Sequence, residues 1–324
     1  MKGKVLGFGN SKQDELLSQN SPASCQVTGL ALWQWRCDAR QSAVKVGVPV
    51  SEVDWLLREV AGLDSLSLRL ESFKERSLLK LSYPLSVLSQ LWQQRIHQRL
   101  PIQYVVGVTP WRNFSLNVSP AVLIPRPETE YLIDLAVEAT KHNPTLKLES
   151  GQWADLGTGS GAIALGLAEI FSDATIHAVD CSADALAIAQ LNAQRLGFEP
   201  RIQFYQGSWY SPLNALQGQL SGMVSNPPYI PSNCLQHLQP EVRDHEPHLA
   251  LDGGIDGLEC IRDLIQTSAN YLRPGGIWLI EMMAGQADTV VQLLHQQGSY
   301  CQIQIVSDLA GIDRFALAYR IDNL

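Results

Sequence analysis

From Trp153 onward the chain switches repeatedly between strand-like and helix-like spacing, and that switching narrows the fold more than any other feature. Trp153–Leu156, Thr175–Val179, Ile202–Tyr205, Gly222–Ser225 and Ile277–Glu281 are short apolar runs of strand length. Between them stand Ala162–Phe171, Ala183–Leu196 closed by Gly197, Leu258–Leu272 and Ala287–Gln297, with apolar residues at helical spacing. Strands that alternate with helices in this way build a parallel sheet covered by helices on both faces. Gln302–Val306 and Arg314–Tyr319 read as the last strands, a hairpin at one edge. The expected fold class is therefore α/β, a doubly wound, mostly parallel, Rossmann-like sheet, preceded by a small helical N-terminal domain.

The helical part is read from periodicity. Residues 1–24 are polar and aperiodic and predict a mobile tail. In residues 25–105 Leu30, Trp33 and Cys37 fall on one helix face. Ser51-Glu52-Val53-Asp54 reads as a capping box, opening a helix with Val53, Leu56, Leu57 and Val60 on one side. A later helix, about Leu85 to Arg99, places Leu88, Leu91, Trp92 and Ile96 together. Of the chain's 8 tryptophans, Trp33, Trp35, Trp55 and Trp92 lie here and read mostly as core. Residues 106–125 form a linker: Tyr104-Val105-Val106-Gly107 and Phe114–Val118 alternate like the arms of a hairpin. Residues 126–324 then form the α/β domain, opened by Arg126-Pro127-Glu128-Thr129-Glu130, with acids in the first helical turn.

Two loops at strand ends carry the chemistry. Asp155-Leu156-Gly157-Thr158-Gly159-Ser160-Gly161 joins a strand to a helix, and its glycines let the backbone turn tightly and approach a ligand. Asp180 ends the next strand, near the spacing of an acid that binds a ribose diol. Together they indicate an adenosine-containing cofactor. Ala162 stands where a dinucleotide fingerprint has its last glycine, which weakens a nicotinamide reading. Trp209, after the third strand, is placed to lie against an adenine ring or simply to be buried.

The second loop, Asn226-Pro227-Pro228-Tyr229, stops a buried strand abruptly. Its prolines are rigid and lack N–H groups, and each restricts the residue before it to extended geometry. The loop thus offers the Asn226 side-chain oxygen and the Pro227 carbonyl as aimed acceptors beside the Tyr229 ring. Such a pair suits a planar –NH2 group, holding both hydrogens and leaving the nitrogen lone pair facing an electrophile. A plain strand-to-loop turn is the competing reading of these residues alone.

Charge and composition exclude several classes. The formal net charge is −8; residues 25–105 carry ten basic and seven acidic residues, the first 24 three and two, so residues 106–324 carry −12. An acidic body is a poor partner for a phosphate backbone. No apolar run is long enough to span a membrane, and Met1–Phe8 lacks the apolar region of a signal peptide. The 6 cysteines contain no Cys-x-x-Cys pair, as expected of a cytoplasmic chain without a zinc site. His245-Glu246-Pro247-His248 is broken by proline, and Asp252–Gly257 has Gly254 where a calcium loop needs a ligand, so no metal is expected.

With the glycine loop, Asp180 and Asn226-Pro227-Pro228-Tyr229 in this order, the chain resembles the class I S-adenosylmethionine-dependent methyltransferases. More closely it resembles the release-factor glutamine N5-methyltransferases, the HemK/PrmC type. The resemblance rests on Pro101–Tyr104, Leu123–Glu130, Asp155–Gly161, Ser225–Ile230, Glu246–Leu251 and Asp308–Gly311, and runs from about residue 28 to the C-terminus. Arg126–Glu130 is its most specific part. Glu281-Met282-Met283-Ala284-Gly285 departs from the family's more usual Glu-x-Gly. The resemblance implies S-adenosylmethionine as cofactor, bound by Gly157, Thr158, Gly159, Ser160, Gly161, Asp180, Trp209 and Asn226. It implies a protein substrate, the glutamine of the Gly-Gly-Gln loop of peptide chain release factors, bound by Asn226, Pro227, Pro228 and Tyr229, with Asn226 and Pro227 catalytic. It implies that the helical domain helps to dock the factor. The charge and the apolar runs add the expectation of no direct nucleic-acid or membrane partner, and a monomer is expected. A nucleic-acid amino-group methyltransferase (adenine N6, cytosine N4 or guanine N2) and a non-catalytic adenosine-binding module remain as alternatives.

Overall fold

The computed structural model describes residues 25–322, and they divide into two units. One unit holds the described residues up to Val108 together with Pro240–His245; the other holds Thr109–Gln239 and the chain from Glu246 onward. The predicted tail, residues 1–24, lies outside the described residues.

In the first unit β1 (Gln26–Val27) pairs antiparallel with β2 (Leu79–Lys80). The helices are α1 (Gly29–Val46), α2 (Ser51–Ala61), α3 (Ser65–Leu70), α4 (Leu85–His97) and α5 (Ile102–Val106). Thr28 caps α1 by accepting from the Ala31 N–H at 3.2 Å. The buried face of α1 is Leu32, Arg36, Ala39 and Ala43, not the expected Leu30, Trp33 and Cys37, of which Leu30 and Cys37 are exposed. Arg36 explains the error. Its guanidinium holds Asp54 at 2.7 Å and Glu71 at 3.0 Å, so a residue type normally kept at the surface turns inward. Of the four tryptophans only Trp92 is fully buried; Trp33, Trp35 and Trp55 are half-buried around this core.

Two further local expectations fail. The capping box at Ser51 is not formed: Val50 occupies the N-cap without a side-chain bond. Glu52 faces Arg95 instead, at 2.6 and 2.9 Å. Tyr104–Gly107 is no strand: Ile102–Val106 is helical, started by Pro101 and closed by Gly107 at φ +81°. The hairpin follows it, as β3 (Val108–Trp111) and β4 (Phe114–Asn117). Pro240–Arg243 joins this unit as a short helix that no sequence signal marked. Glu241 from it meets the buried Arg95 at 3.0 Å and Arg99 at 2.6 Å.

The second unit contains α6 (Tyr131–Thr140), β5 (Gln152–Leu156), α7 (Ala162–Ile170), β6 (Thr175–Asp180), α8 (Ala183–Leu196), β7 (Ile202–Gln206) and β8 (Leu220–Ser225). It continues with α9 (Glu259–Ser268), β9 (Leu272–Glu281), α10 (Ala287–Gln297), β10 (Tyr300–Ser307) and β11 (Asp313–Arg320). The 7-stranded sheet has the order β10-β11-β9-β8-β5-β6-β7. β7, β6, β5, β8 and β9 are parallel, and β11 is antiparallel to both its neighbours. Both faces are apolar: along β9, Ile277 and Leu279 enter one core cluster while Trp278 and Ile280 enter the other. Gly222 on β8 sits opposite Trp153 on β5, and a β-carbon there would lie 2.4 Å from the indole. β9 starts earlier than expected. Pro274-Gly275-Gly276 lies inside it as an irregularity between the Leu272 and Ile277 pairings. β5 is paired with β6 on one side and β8 on the other. This is the switch point at which open α/β sheets bind ligands, beyond the carboxyl ends of the strands. Among the described residues no helix is long and apolar enough to cross a membrane.

Candidate active site

The glycine loop leaves β5 at the switch point. Gly157, Gly159 and Gly161 all have positive φ (+77°, +53° and +83°), which a side chain would strain. The loop is held from below. Asp155, fully buried, accepts from Thr158 Oγ1 at 2.5 Å and from the Ala164 N–H at 2.9 Å. Burial pushes its carboxyl up to about 7, and its Oδ1 has no partner among the described residues. Asp180, at the end of β6, accepts from the Gly159 N–H at 2.9 Å through Oδ2 and from the Ser182 N–H at 2.9 Å through Oδ1. Asn192 on α8 donates to the Ser160 carbonyl at 2.9 Å. Trp209 reaches the same loop: a β-carbon on Gly157 would stand 3.5 Å from its ring. Its backbone has φ +48°, rare for a bulky residue and typical of functional sites.

The second loop leaves the neighbouring strand, β8. Ser225 is buried and donates to the Leu156 carbonyl at 2.6 Å, which ties the roots of the two loops together. Pro227 is buried, while Asn226, Pro228 and Tyr229 are half-buried. Gln286, almost fully buried, donates to the carbonyls of Tyr229 at 3.0 Å and Gly257 at 3.1 Å. Ile230 exchanges bonds with Leu251 and Gly253, at 3.0 and 2.8 Å. The loop is therefore rigid by proline and fixed by its neighbours.

The structure adds two residues that the sequence reading did not select. Thr129 lies in the single turn Glu128–Glu130 before α6, and Glu281 ends β9. Both are buried, at 3% and 2% exposure. Asn226 donates from Nδ2 to Thr129 Oγ1 at 3.2 Å. Thr129 donates to Glu281 Oε2 at 2.7 Å, and the Tyr229 hydroxyl to Glu281 Oε1 at 3.1 Å. Burial pushes the Glu281 carboxyl up, opposed by these two hydrogen bonds and by Arg314. Burial and Glu281 together raise Tyr229 far above its ordinary value, so its hydroxyl keeps its proton. Glu281 was readable as a signal, being an acid that closes the apolar run Ile277-Trp278-Leu279-Ile280.

The two rejected metal motifs serve the loops. Glu246 pairs with Arg126 at 2.7 Å. Asp252 accepts from Ser232 and the Gly254 N–H, and Asp256 pairs with Arg262. No group of His, Cys, Asp and Glu suited to a metal occurs among the described residues.

Residues 135–239 match the methyltransferase small domain family. A release factor glutamine methyltransferase of Synechocystis is 50% identical over 293 residues, covering 90% of this chain and 97% of that protein. The chain belongs to the release factor glutamine methyltransferase family. Members bearing that name in Thermosynechococcus vestitus and Gloeobacter violaceus are 49% and 42% identical, over 82% and 88% of this chain and 90% and 96% of theirs. The fold is also that of the hMettl16 catalytic domain, solved with a MAT2A 3′UTR hairpin: TM-score 0.52, 15% identity, 73% of this chain and 81% of that one.

Membership in the release factor glutamine methyltransferase family makes the chain an enzyme whose methyl donor is S-adenosylmethionine. The loop chemistry fits that group. Three side-chain-free turns leave room for close backbone approach, and Asp180 sets a carboxylate against the Gly159 N–H of the same loop.

Proposed function

We propose that this chain transfers a methyl group from S-adenosylmethionine to the side-chain amide nitrogen (N5) of the glutamine in the Gly-Gly-Gln motif of peptide chain release factors. One observation carries this reading: the 50% identity to the Synechocystis release factor glutamine methyltransferase over 97% of that protein's length. Bound in the site, S-adenosylmethionine supplies an electrophilic methyl on a positively charged sulfur. Gly157, Thr158, Gly159, Ser160 and Gly161, with Asp180, Trp209 and Asn226, hold it. Asp180 has lone pairs left for a ribose diol after its two backbone bonds, and Trp209 offers a ring face to adenine. Asp180→Ala is expected to weaken binding about tenfold to a hundredfold, the worth of a hydrogen bond to a charged group. Calorimetry with S-adenosylhomocysteine measures this, and unchanged affinity would make Asp180 a bystander.

Asn226 Oδ1 and the Pro227 carbonyl accept the two hydrogens of the glutamine amide, while Pro228 and Tyr229 confine its side chain. This fixes the nitrogen lone pair towards the reacting carbon and stabilises the positive charge that grows on nitrogen. The proton released afterwards passes to water. Tyr229 does not take it, since its own proton is tightly held. The helical unit docks the factor, and the enzyme works as a cytoplasmic monomer with no nucleic-acid partner.

Transfer of labelled methyl groups tests the reading. Label is expected on a folded release factor, and not on duplex DNA or naked ribosomal RNA. Replacing the glutamine of the factor's Gly-Gly-Gln loop by alanine should abolish labelling. Raised salt should slow the reaction, because attraction between the −12 body and a basic factor is screened over about 10 Å at 0.1 M ionic strength. Label on nucleic acid, or on the alanine variant, would overturn the substrate assignment.

A further inference from the structure

We infer that Thr129 and Glu281 act as positioning residues, locking the Asn226 amide in the one orientation that presents its oxygen to the substrate. The inference rests on the reading of Asn226 as the group that orients the acceptor amide. An asparagine side chain is a fork whose two ends, oxygen and NH2, have nearly the same shape and opposite chemistry. Rotation about its last torsion exchanges them at little intrinsic cost. Only the oxygen end can receive a hydrogen of the glutamine amide. The NH2 end would meet it donor against donor. Something outside Asn226 must therefore choose the orientation.

The choice follows from counting hydrogens. Thr129 Oγ1 has one hydrogen, and it is given to Glu281 Oε2 at 2.7 Å. An ionised carboxylate only accepts, so Thr129 is left with lone pairs alone for any further neighbour. That neighbour is Asn226, 3.2 Å away, and it must turn its NH2 end towards Thr129. The oxygen then takes the other side of the fork. Turning the amide over would set Oδ1 against the Thr129 lone pairs and lose a bond. Water cannot repair this, because Thr129 and Glu281 are 3% and 2% exposed. Burial pushes the Glu281 carboxyl up, and the bonds from Thr129 and from Tyr229, the latter at 3.1 Å to its other oxygen, together with Arg314 oppose that shift and favour the charged form. A single carboxylate thus orients both Asn226 and Tyr229.

The test compares three variants of the full-length enzyme with a folded release factor as substrate. Thr129→Val keeps the shape and removes the hydroxyl; Thr129→Ser keeps the hydroxyl. Thr129→Val should lower kcat about tenfold or more, the scale of one misdirected hydrogen bond at a transition state. Its KM for the factor and its S-adenosylhomocysteine affinity should stay within about twofold, and Thr129→Ser should keep most of the wild-type kcat. Asn226→Ala separates the two levels of argument. Should it remain active, the reading of Asn226 itself fails. Should it be inactive while Thr129→Val turns over like wild type, the lock is overturned and that reading stands. Equal damage from serine and valine would also overturn the lock, since packing would then be the cause. If Thr129→Val does not melt cooperatively, Glu281→Gln replaces it. A glutamine can donate to Thr129 and release its hydrogen, so kcat should fall at unchanged cofactor affinity; wild-type kcat in that variant would end the proposal.

Discussion

Replacing Asn226 by alanine lowers kcat for release-factor methylation by about a hundredfold to a thousandfold, the usual loss when one aimed polar group is removed from a transition state. The acceptor is an amide nitrogen whose lone pair is delocalised, so its orientation decides the rate. Asn226 is half-buried at the end of β8, with its NH2 end on Thr129, and its oxygen is the remaining end of the fork. The backbone around it is held by Ser225, Gln286 and Ile230, so the alanine variant keeps the loop and loses only the acceptor. Affinity for S-adenosylhomocysteine should change far less, because the glycine loop and Asp180 are untouched. Steady-state rates with a folded factor, alongside calorimetry, measure both quantities. A variant with more than a third of the wild-type kcat would remove Asn226 from the mechanism.

Arg95→Met lowers stability by about 3–5 kcal/mol, the range found when one member of a buried ion cluster is deleted. The Arg95 guanidinium is buried and serves two carboxylates, Glu52 at 2.6 Å and Glu241 at 3.0 Å. Methionine fills much of the volume, so packing loss is small and the damage is electrostatic. Glu241 retains Arg99 at 2.6 Å, whereas Glu52 has no second cation among the described residues. Thermal melts of the wild type and variant check the sign. Adding Glu52→Gln to Arg95→Met should recover part of the loss, and a failure to recover any would point to packing instead.

What the sequence told about this fold depended on how local the signal was. Gly197, read as the stop of its helix, closes α8 with left-handed backbone, a signal confined to one residue. The alternation of strand and helix gave the doubly wound class, but the order of strands depends on pairings over long separations that no periodicity encodes. Buried charge misled the reading most. The first helix was read with Leu30, Trp33 and Cys37 on one face and Glu52 was placed in a capping box, and the distant partners of Arg36 and Glu52 reversed both. In the site, the glycines and prolines were visible because their backbone constraints are intrinsic. Thr129 and Gln286 were not, because each matters through what it touches far along the chain, and Glu281 showed only as an acid closing an apolar run, with no sign of its partners.

The excursion of Pro240–His245 into the helical unit also sets a clock. Glu241 follows Arg95 by 146 residues. At a synthesis rate of about 5–20 residues per second, Arg95 is made roughly 7–30 seconds before that carboxylate exists. During this interval Arg95 has Glu52 alone and Arg99 lacks Glu241. The unit that begins first is therefore finished late, and its completion reports that the loop bearing Asn226, made just before Glu241, has already been translated.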